Sequence, residues 1–353
     1  MHALSQDCFT TISVPSVEKL RVFHSIPHGV DNPPRLLFLH GYSFFTDLYA
    51  TLLNELCSHF EVLAFDSPGT GGSGPIFDGD YTLNTLVEVT LELLTVNQLK
   101  WVPRAASVLY KANMKYDPDR MLDSQSGEDK QLAESLAESL ALSTDRKKFT
   151  IVGHSMGAFL AAELTAACWN CVEAVYLVAP AGIKCELRNF WSDLCGGPLG
   201  IFRKAYAKLR HKQTIERWVA IQRDSLAQGR SVTHAEQMQK DFSEAYLANS
   251  RAAVSRFCCL VDFPWSGGHD VFRELESIIE KKGLNAYCYL MEQDEVIPYK
   301  DVSAFFRDIM PNCNLHTVSA ANHDWVNDHP HLLVHNILND RAHSDAVTSS
   351  VEI

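Results

Sequence analysis

Apolar and polar positions alternate along residues 9–14 and again along 20–26, the period-two pattern of half-buried strands at a sheet margin. The pattern then changes character. Arg35-Leu36-Leu37-Phe38-Leu39 and Glu61-Val62-Leu63-Ala64-Phe65 are almost continuously apolar, as expected of strands covered on both faces. Between them, residues 47–60 set Leu48, Leu52, Leu53, Leu56 and Phe60 on one helical face. A helix is predicted over 83–95, and buried strands over 149–152 and 174–178 with a helix beginning at Ser155 between them. Strands over 285–291 and 314–318 and a helix over 330–338 complete the series. Strand and helix in this order predict an α/β architecture, a mostly parallel central sheet flanked by helices.

Two stretches interrupt the series. Residues 97–126 are polar and irregular, with Pro103 and Pro118, and read as an insertion that is partly mobile; beyond them, 131–140 repeats leucine every four residues, a helix with a thin apolar stripe. From 182 to 268 helical periodicities dominate without a buried strand. The expected organisation is therefore a discontinuous core of 1–181 and 269–340, a helical cap of 182–268 and a flexible tail of 341–353 that is small, polar and frayed.

Composition narrows the functional classes. Forty-three acidic residues against 31 Lys and Arg give a formal net charge of −12, which argues against nucleic acid as a partner, since phosphate backbones are held by surplus cations. The first residues carry no basic, apolar leader pattern and no run approaches the ~18 apolar residues of a membrane span, so a soluble, cytoplasmic protein is expected. Its ten cysteines are then expected to stay reduced. Cys168 and Cys171 have redox or half-zinc spacing, but no second pair accompanies them. His316, His323, His329 and His331 lack a context that would make them metal ligands. Neither a cofactor nor a metal is expected.

The chemistry concentrates in three places. Gly153-His154-Ser155-Met156-Gly157 fits G-x-S-x-G and lies between a predicted strand and a predicted helix, where glycines on either side permit the sharp turn that exposes a serine hydroxyl. Asp294 follows the strand ending near 291, and His323 follows the last strand, so both fall at carboxyl ends of strands, where α/β sheets build their sites. Serine, aspartate and histidine in that chain order differ from the chymotrypsin and subtilisin orders.

With Leu39-His40-Gly41, the turn Asp66-x-Pro68-Gly69-x-Gly71-x-Ser73, Gly153 to Gly157, Asp294-x-x-x-Pro298 and His323 in register, the chain resembles the α/β-hydrolase family, in particular its capped esterase and lipase-like members, over nearly all of 9–338. The resemblance implies the α/β-hydrolase fold and a serine hydrolase acting on an ester or acyl-lipid substrate. Ser155 would be the nucleophile, His323 the general base and Asp294 the acid that orients it, with Tyr42 and Met156 donating backbone amides to the oxyanion. His40, Gly41, Gly153 and Gly157 would support these groups. Where many relatives carry a second glycine after the motif, this chain has Ala158. A free histidine titrates near ~6.5, which suits it to take the serine proton at neutral pH. His40 is expected to be a structural hydrogen-bonding residue, Asp66 to tie down its own turn, and Glu295 and Asp324 to be solvated. Gly69 to Gly74 lacks the Lys-Ser/Thr ending of a phosphate loop.

Three further readings concern use rather than chemistry. Between 182 and 230 ten Lys or Arg face four acids, and 199–212 is a basic amphipathic stretch that could lie against an anionic membrane, or pack as a cap helix with solvated charges. His323-x-x-x-x-Asp328 matches a spacing associated with acyl transfer to a lipid acceptor. A non-catalytic ligand-binding module on the same fold is the third alternative.

Overall fold

The computed structural model describes residues 3–42, 44–77, 81–111, 147–183 and 268–351. One eight-stranded sheet runs through them: β1 (Phe9–Val14), β2 (Val17–Ser25), β3 (Arg35–Leu39), β4 (Glu61–Phe65), β5 (Phe149–His154), β6 (Val172–Val178), β7 (Asn285–Met291) and β8 (Asn314–Val318), in the spatial order β1-β2-β4-β3-β5-β6-β7-β8. β1, β2 and β4 are joined antiparallel, and every pairing from β4 to β8 is parallel. The apolar runs occupy the middle. All six residues of β5 are buried, whereas β8 at the margin is half-exposed, as an edge strand with one covered face should be.

Helices α1 (Ala50–Leu56), α2 (Leu83–Thr95), α3 (Arg104–Lys111), α4 (Met156–Cys168), α5 (His269–Lys282), α6 (Tyr299–Ile309), α7 (Trp325–Asp328) and α8 (Pro330–Val351) join the strands. They pack in two groups, α2 to α6 in one and α1, α7 and α8 in the other. α4 lies against β5 and β6 with all its residues buried, and its small side chains, Gly157, Ala158, Ala161, Ala162, Ala166 and Ala167, let helix and sheet approach closely. Among the described residues no helix is long and apolar enough to cross a membrane.

Several elements differ from the sequence reading. The helix expected over 47–60 is a 3-10 turn, Thr46–Tyr49, followed by α1, because the backbone at Tyr49 (φ −104°, ψ 21°) leaves helical geometry. Within the irregular stretch 97–126, α3 forms and packs on α2 and α4; residues 112–126 lie outside the described residues, as does the leucine-repeat stretch 131–140. α6 went unanticipated, and it buries Val302, Phe305 and Phe306. The segment expected as a frayed tail continues α8 as far as Val351; it contains neither glycine nor proline to stop a helix.

The expected cap, with its basic stretch 199–212, lies outside the described residues apart from Gly182, Ile183 and Gly268. Its two junctions meet: the Gly268 amide donates to the Gly182 carbonyl at 2.8 Å, and both glycines press on the Phe159 ring of α4. Gly182 and Gly268 therefore adjoin each other at one point, one turn along the helix that follows Ser155.

Candidate active site

Ser155 stands between β5 and α4 with φ 56° and ψ −116°, a region that a residue bearing a side chain occupies at a cost of ~1–3 kcal/mol. The surroundings hold it there. Its amide donates to the Val178 carbonyl at 2.8 Å, and its carbonyl accepts from the amides of Ala158 and Ala181, each at 3.1 Å. The turn is so tight that its flanking glycines are sterically required: a Cβ on Gly153 would stand 2.3 Å from the Gly157 oxygen, and one on Gly157 only 2.1 Å from the Leu39 oxygen. Met156 is the first residue of α4, so its amide lies in the first turn of a buried helix, at the end towards which the backbone N–H groups point. Serine thus sits at the positive end of a helix dipole.

Asp294 and His323 come together 29 residues apart in sequence. His323 Nδ1 donates to Asp294 Oδ2 at 2.8 Å, and Asp294 Oδ1 accepts from the amides of Val296 (2.8 Å) and Ile297 (2.6 Å). Both side chains are buried. A carboxylate accepts only, so the Nδ1 proton is fixed and a neutral His323 keeps its lone pair on Nε2.

The loop after β3 closes over the serine. A Cβ on Gly41 would meet the Ser155 Cβ at 3.3 Å, so this backbone touches the nucleophile candidate directly, and Tyr42 follows it. His40 holds the loop from below: Nδ1 donates to the Gly41 carbonyl and Nε2 accepts from the Ser67 amide, both at 2.8 Å. Accepting at Nε2 makes the ring neutral, in keeping with a titration point lowered first by burial. Asp66 ties its glycine turn as expected and reaches further, accepting from the amides of Gly72 (2.8 Å) and Thr46 (2.9 Å) and pairing with Arg21.

The sequence in which these residues occur now has an independent match. The family described as the alpha/beta hydrolase family matches residues 36–336. This chain belongs to the alpha/beta hydrolase family. The fold agrees with solved structures of several hydrolases, at identities that speak to fold alone. A carboxylesterase of the thaumarchaeon Nitrososphaera gargenis shares 17% identity with a TM-score of 0.58, covering 94% of this chain and 98% of its own. A hydrolase from Pseudomonas aeruginosa PA01 shares 15% at 0.59, covering 95% and 98%. The enol-lactonase from Burkholderia xenovorans LB400 shares 13% at 0.55, covering 94% and 98%. Comparison with curated proteins gives no match.

In this alpha/beta hydrolase two further side chains join the site that sequence reasoning missed. His154 Nε2 lies 3.0 Å from the His323 carbonyl oxygen, the two imidazoles pack tilted at 44° with centroids 4.8 Å apart, and His154 Nδ1 lies 2.7 Å from the Tyr49 hydroxyl. The signal was present in the motif, where an imidazole fills a wholly buried strand position. Asp324 needs correcting. Expected in solvent beside the exposed Glu295, it is half-buried because Trp325 and Val326 carry it into the core. Its Oδ1 has no hydrogen-bond partner, and burial raises the carboxyl above the usual range, partly offset by His323. Asp328 is exposed at the end of α7. Among the described residues no group of three or more His, Cys, Asp or Glu is placed to hold a metal ion. Cys168 and Cys171 are buried thiols at the end of α4, and burial pushes Cys168 well above the ordinary range.

Proposed function

We propose that this chain is a serine hydrolase that cleaves a carboxylic ester through an acyl-enzyme, with Ser155 as nucleophile, His323 as general base and Asp294 as the residue that orients the base. The observation that carries the proposal is the conjunction of a serine held at positive φ between a buried strand and a helix with an Asp294–His323 pair fixed in one tautomer.

A serine hydroxyl is a weak nucleophile until a base takes its proton during attack. His323 Nε2 is the lone pair left for that purpose, and Asp294 stabilises the imidazolium that forms. The carbonyl carbon gains the serine oxygen, its own oxygen becomes an oxyanion, and the Met156 and Tyr42 amides receive that charge, each donor being worth ~3 kcal/mol in sites of this kind. Collapse expels the alcohol, which takes the proton from His323, and water activated by the same base releases the acid. Small esters or acyl lipids are the substrate class; an acyl-enzyme could also pass its acyl group to an alcohol.

The test is turnover of p-nitrophenyl acetate, butyrate and octanoate by purified protein, with peptide mass spectrometry of the quenched reaction. Turnover above buffer with acyl mass on the peptide containing Ser155 supports the proposal. No turnover and no adduct with any chain length overturns it.

A further inference from the structure

Tyr49 and His154 are fully buried polar side chains that the proposed reaction leaves unused. Neither is an isolated oddity. The Gly41 amide donates to the Tyr49 hydroxyl oxygen at 3.2 Å, the hydroxyl lies 2.7 Å from His154 Nδ1, and His154 Nε2 lies 3.0 Å from the carbonyl oxygen of His323. These contacts form an unbroken path from the loop after β3, through the residue preceding Ser155, to the loop carrying His323.

The proton positions along the path follow from the partners. A backbone carbonyl only accepts, so His154 Nε2 must carry hydrogen. Burial, reinforced by the neighbouring His323, keeps His154 neutral, so Nδ1 carries none and must accept. Tyr49 therefore donates to Nδ1 and receives the Gly41 amide, and every donor has one acceptor. A neutral ring also suits the place, since a cation with its ring centroid 4.8 Å from that of His323 would oppose formation of an imidazolium there. On the other side of the same residue, in the peptide that also carries the Tyr42 amide, His40 donates to the Gly41 carbonyl. Gly41 is thus clamped at both its amide and its carbonyl, and this sets the plane in which the following Tyr42 amide points.

We propose that Tyr49 and His154 are positioning residues that hold the backbone of the base His323 and the oxyanion loop in one fixed relation to Ser155. The inference rests on the reading of Ser155 and His323 given above. Neither residue touches the reacting atoms. They act through the His323 backbone and the Gly41 peptide, so losing them should lower the rate of the chemical step more than it weakens ground-state binding. Misplacement of a catalytic group by ~1 Å can cost on the order of 100-fold.

The experiment uses the full chain and four proteins: native, Tyr49→Phe, His154→Gln and His154→Ala. Hydrolysis of p-nitrophenyl butyrate is measured, together with side-chain nitrogen NMR of protein labelled on histidine, the His154 signal being assigned by its loss in His154→Gln. Tyr49→Phe removes one oxygen and folds even if His154→Ala does not. The expected result is an Nε2–H neutral tautomer for His154 in the native protein, and kcat lowered ~10–100-fold by Tyr49→Phe and His154→Ala with KM within about twofold. His154→Gln, which can still donate to the His323 carbonyl, should recover most of the lost kcat. Native kcat in Tyr49→Phe, equal losses in the Gln and Ala variants, or an Nδ1–H tautomer overturns the inference. A native protein that fails to hydrolyse esters yet shows the Nε2–H tautomer overturns the proposed function and leaves the hydrogen-bonded bridge standing.

Discussion

Asp294 and His323 meet through Oδ2 and Nδ1 at 2.8 Å, while the other Asp294 oxygen is occupied by the amides of Val296 and Ile297. The carboxylate therefore cannot turn away from the ring. In Asp294→Asn the amide oxygen can keep both backbone contacts, which leaves NH2 facing His323 Nδ1. The ring must then accept at Nδ1 and carry its proton on Nε2, the wrong tautomer for a base. Ester hydrolysis should fall by about four orders of magnitude with thermal stability nearly unchanged. Steady-state kinetics and a melting curve check both halves.

Gly157 tests the turn instead of the chemistry. An alanine Cβ there would meet the backbone oxygens of Leu39 (2.1 Å) and His40 (2.6 Å), atoms that cannot rotate aside. Gly157→Ala should lower stability by ~3 kcal/mol or more, whereas the nearby Ala158→Gly should cost only about 1 kcal/mol through helix propensity. Urea unfolding of the two variants against the native protein measures the contrast.

Acid should destabilise the fold through two buried histidines. Burial lowers the titration points of His40 and His154 in the native state, and the second is lowered further by His323. Above the ordinary value of ~6.5 both are neutral folded or unfolded, and they add no pH dependence. Below it the unfolded chain binds protons that the native state refuses, so stability is lost as the pH falls from 6.5 towards the native values. Each histidine contributes ~1.4 kcal/mol per pH unit in that window. Unfolding free energies at pH 7.5, 6.5 and 5.5 should be flat over the first interval and fall over the second. His154→Gln should halve that histidine-dependent slope.

The strands were legible because most of them are buried on both faces, which leaves continuous apolar runs such as Leu36 to Leu39 and Ile151 to Val152 in the sequence. Ser155, Asp294 and His323 were legible because each follows such a strand. α6 left a signal too, with Pro298 before it and Val302, Phe305 and Phe306 at helical spacing. Tyr49 and His154 were not legible in the same way. Their partnership spans 105 residues, and the His154 contact with His323 spans 169, so no local pattern pairs them, and the imidazole inside a buried strand marks His154 as unusual without naming its partners. Asp324 misleads for a related reason: its charge suggests solvent, while the packing of Trp325 next to it decides its burial.

The proposed reaction depends on Ser155 as the nucleophile, and covalent labelling decides whether it has that role. Native protein and Ser155→Ala are treated with a fluorophosphonate probe, resolved on a gel, and the labelled peptide is identified by mass spectrometry. The substitution removes a single oxygen, and the amide and carbonyl contacts that hold the turn belong to the backbone. Labelling of the native protein on the peptide containing Ser155, abolished with ester hydrolysis in a Ser155→Ala variant that melts like the native protein, is the predicted result. Undiminished labelling or hydrolysis in that variant would contradict it.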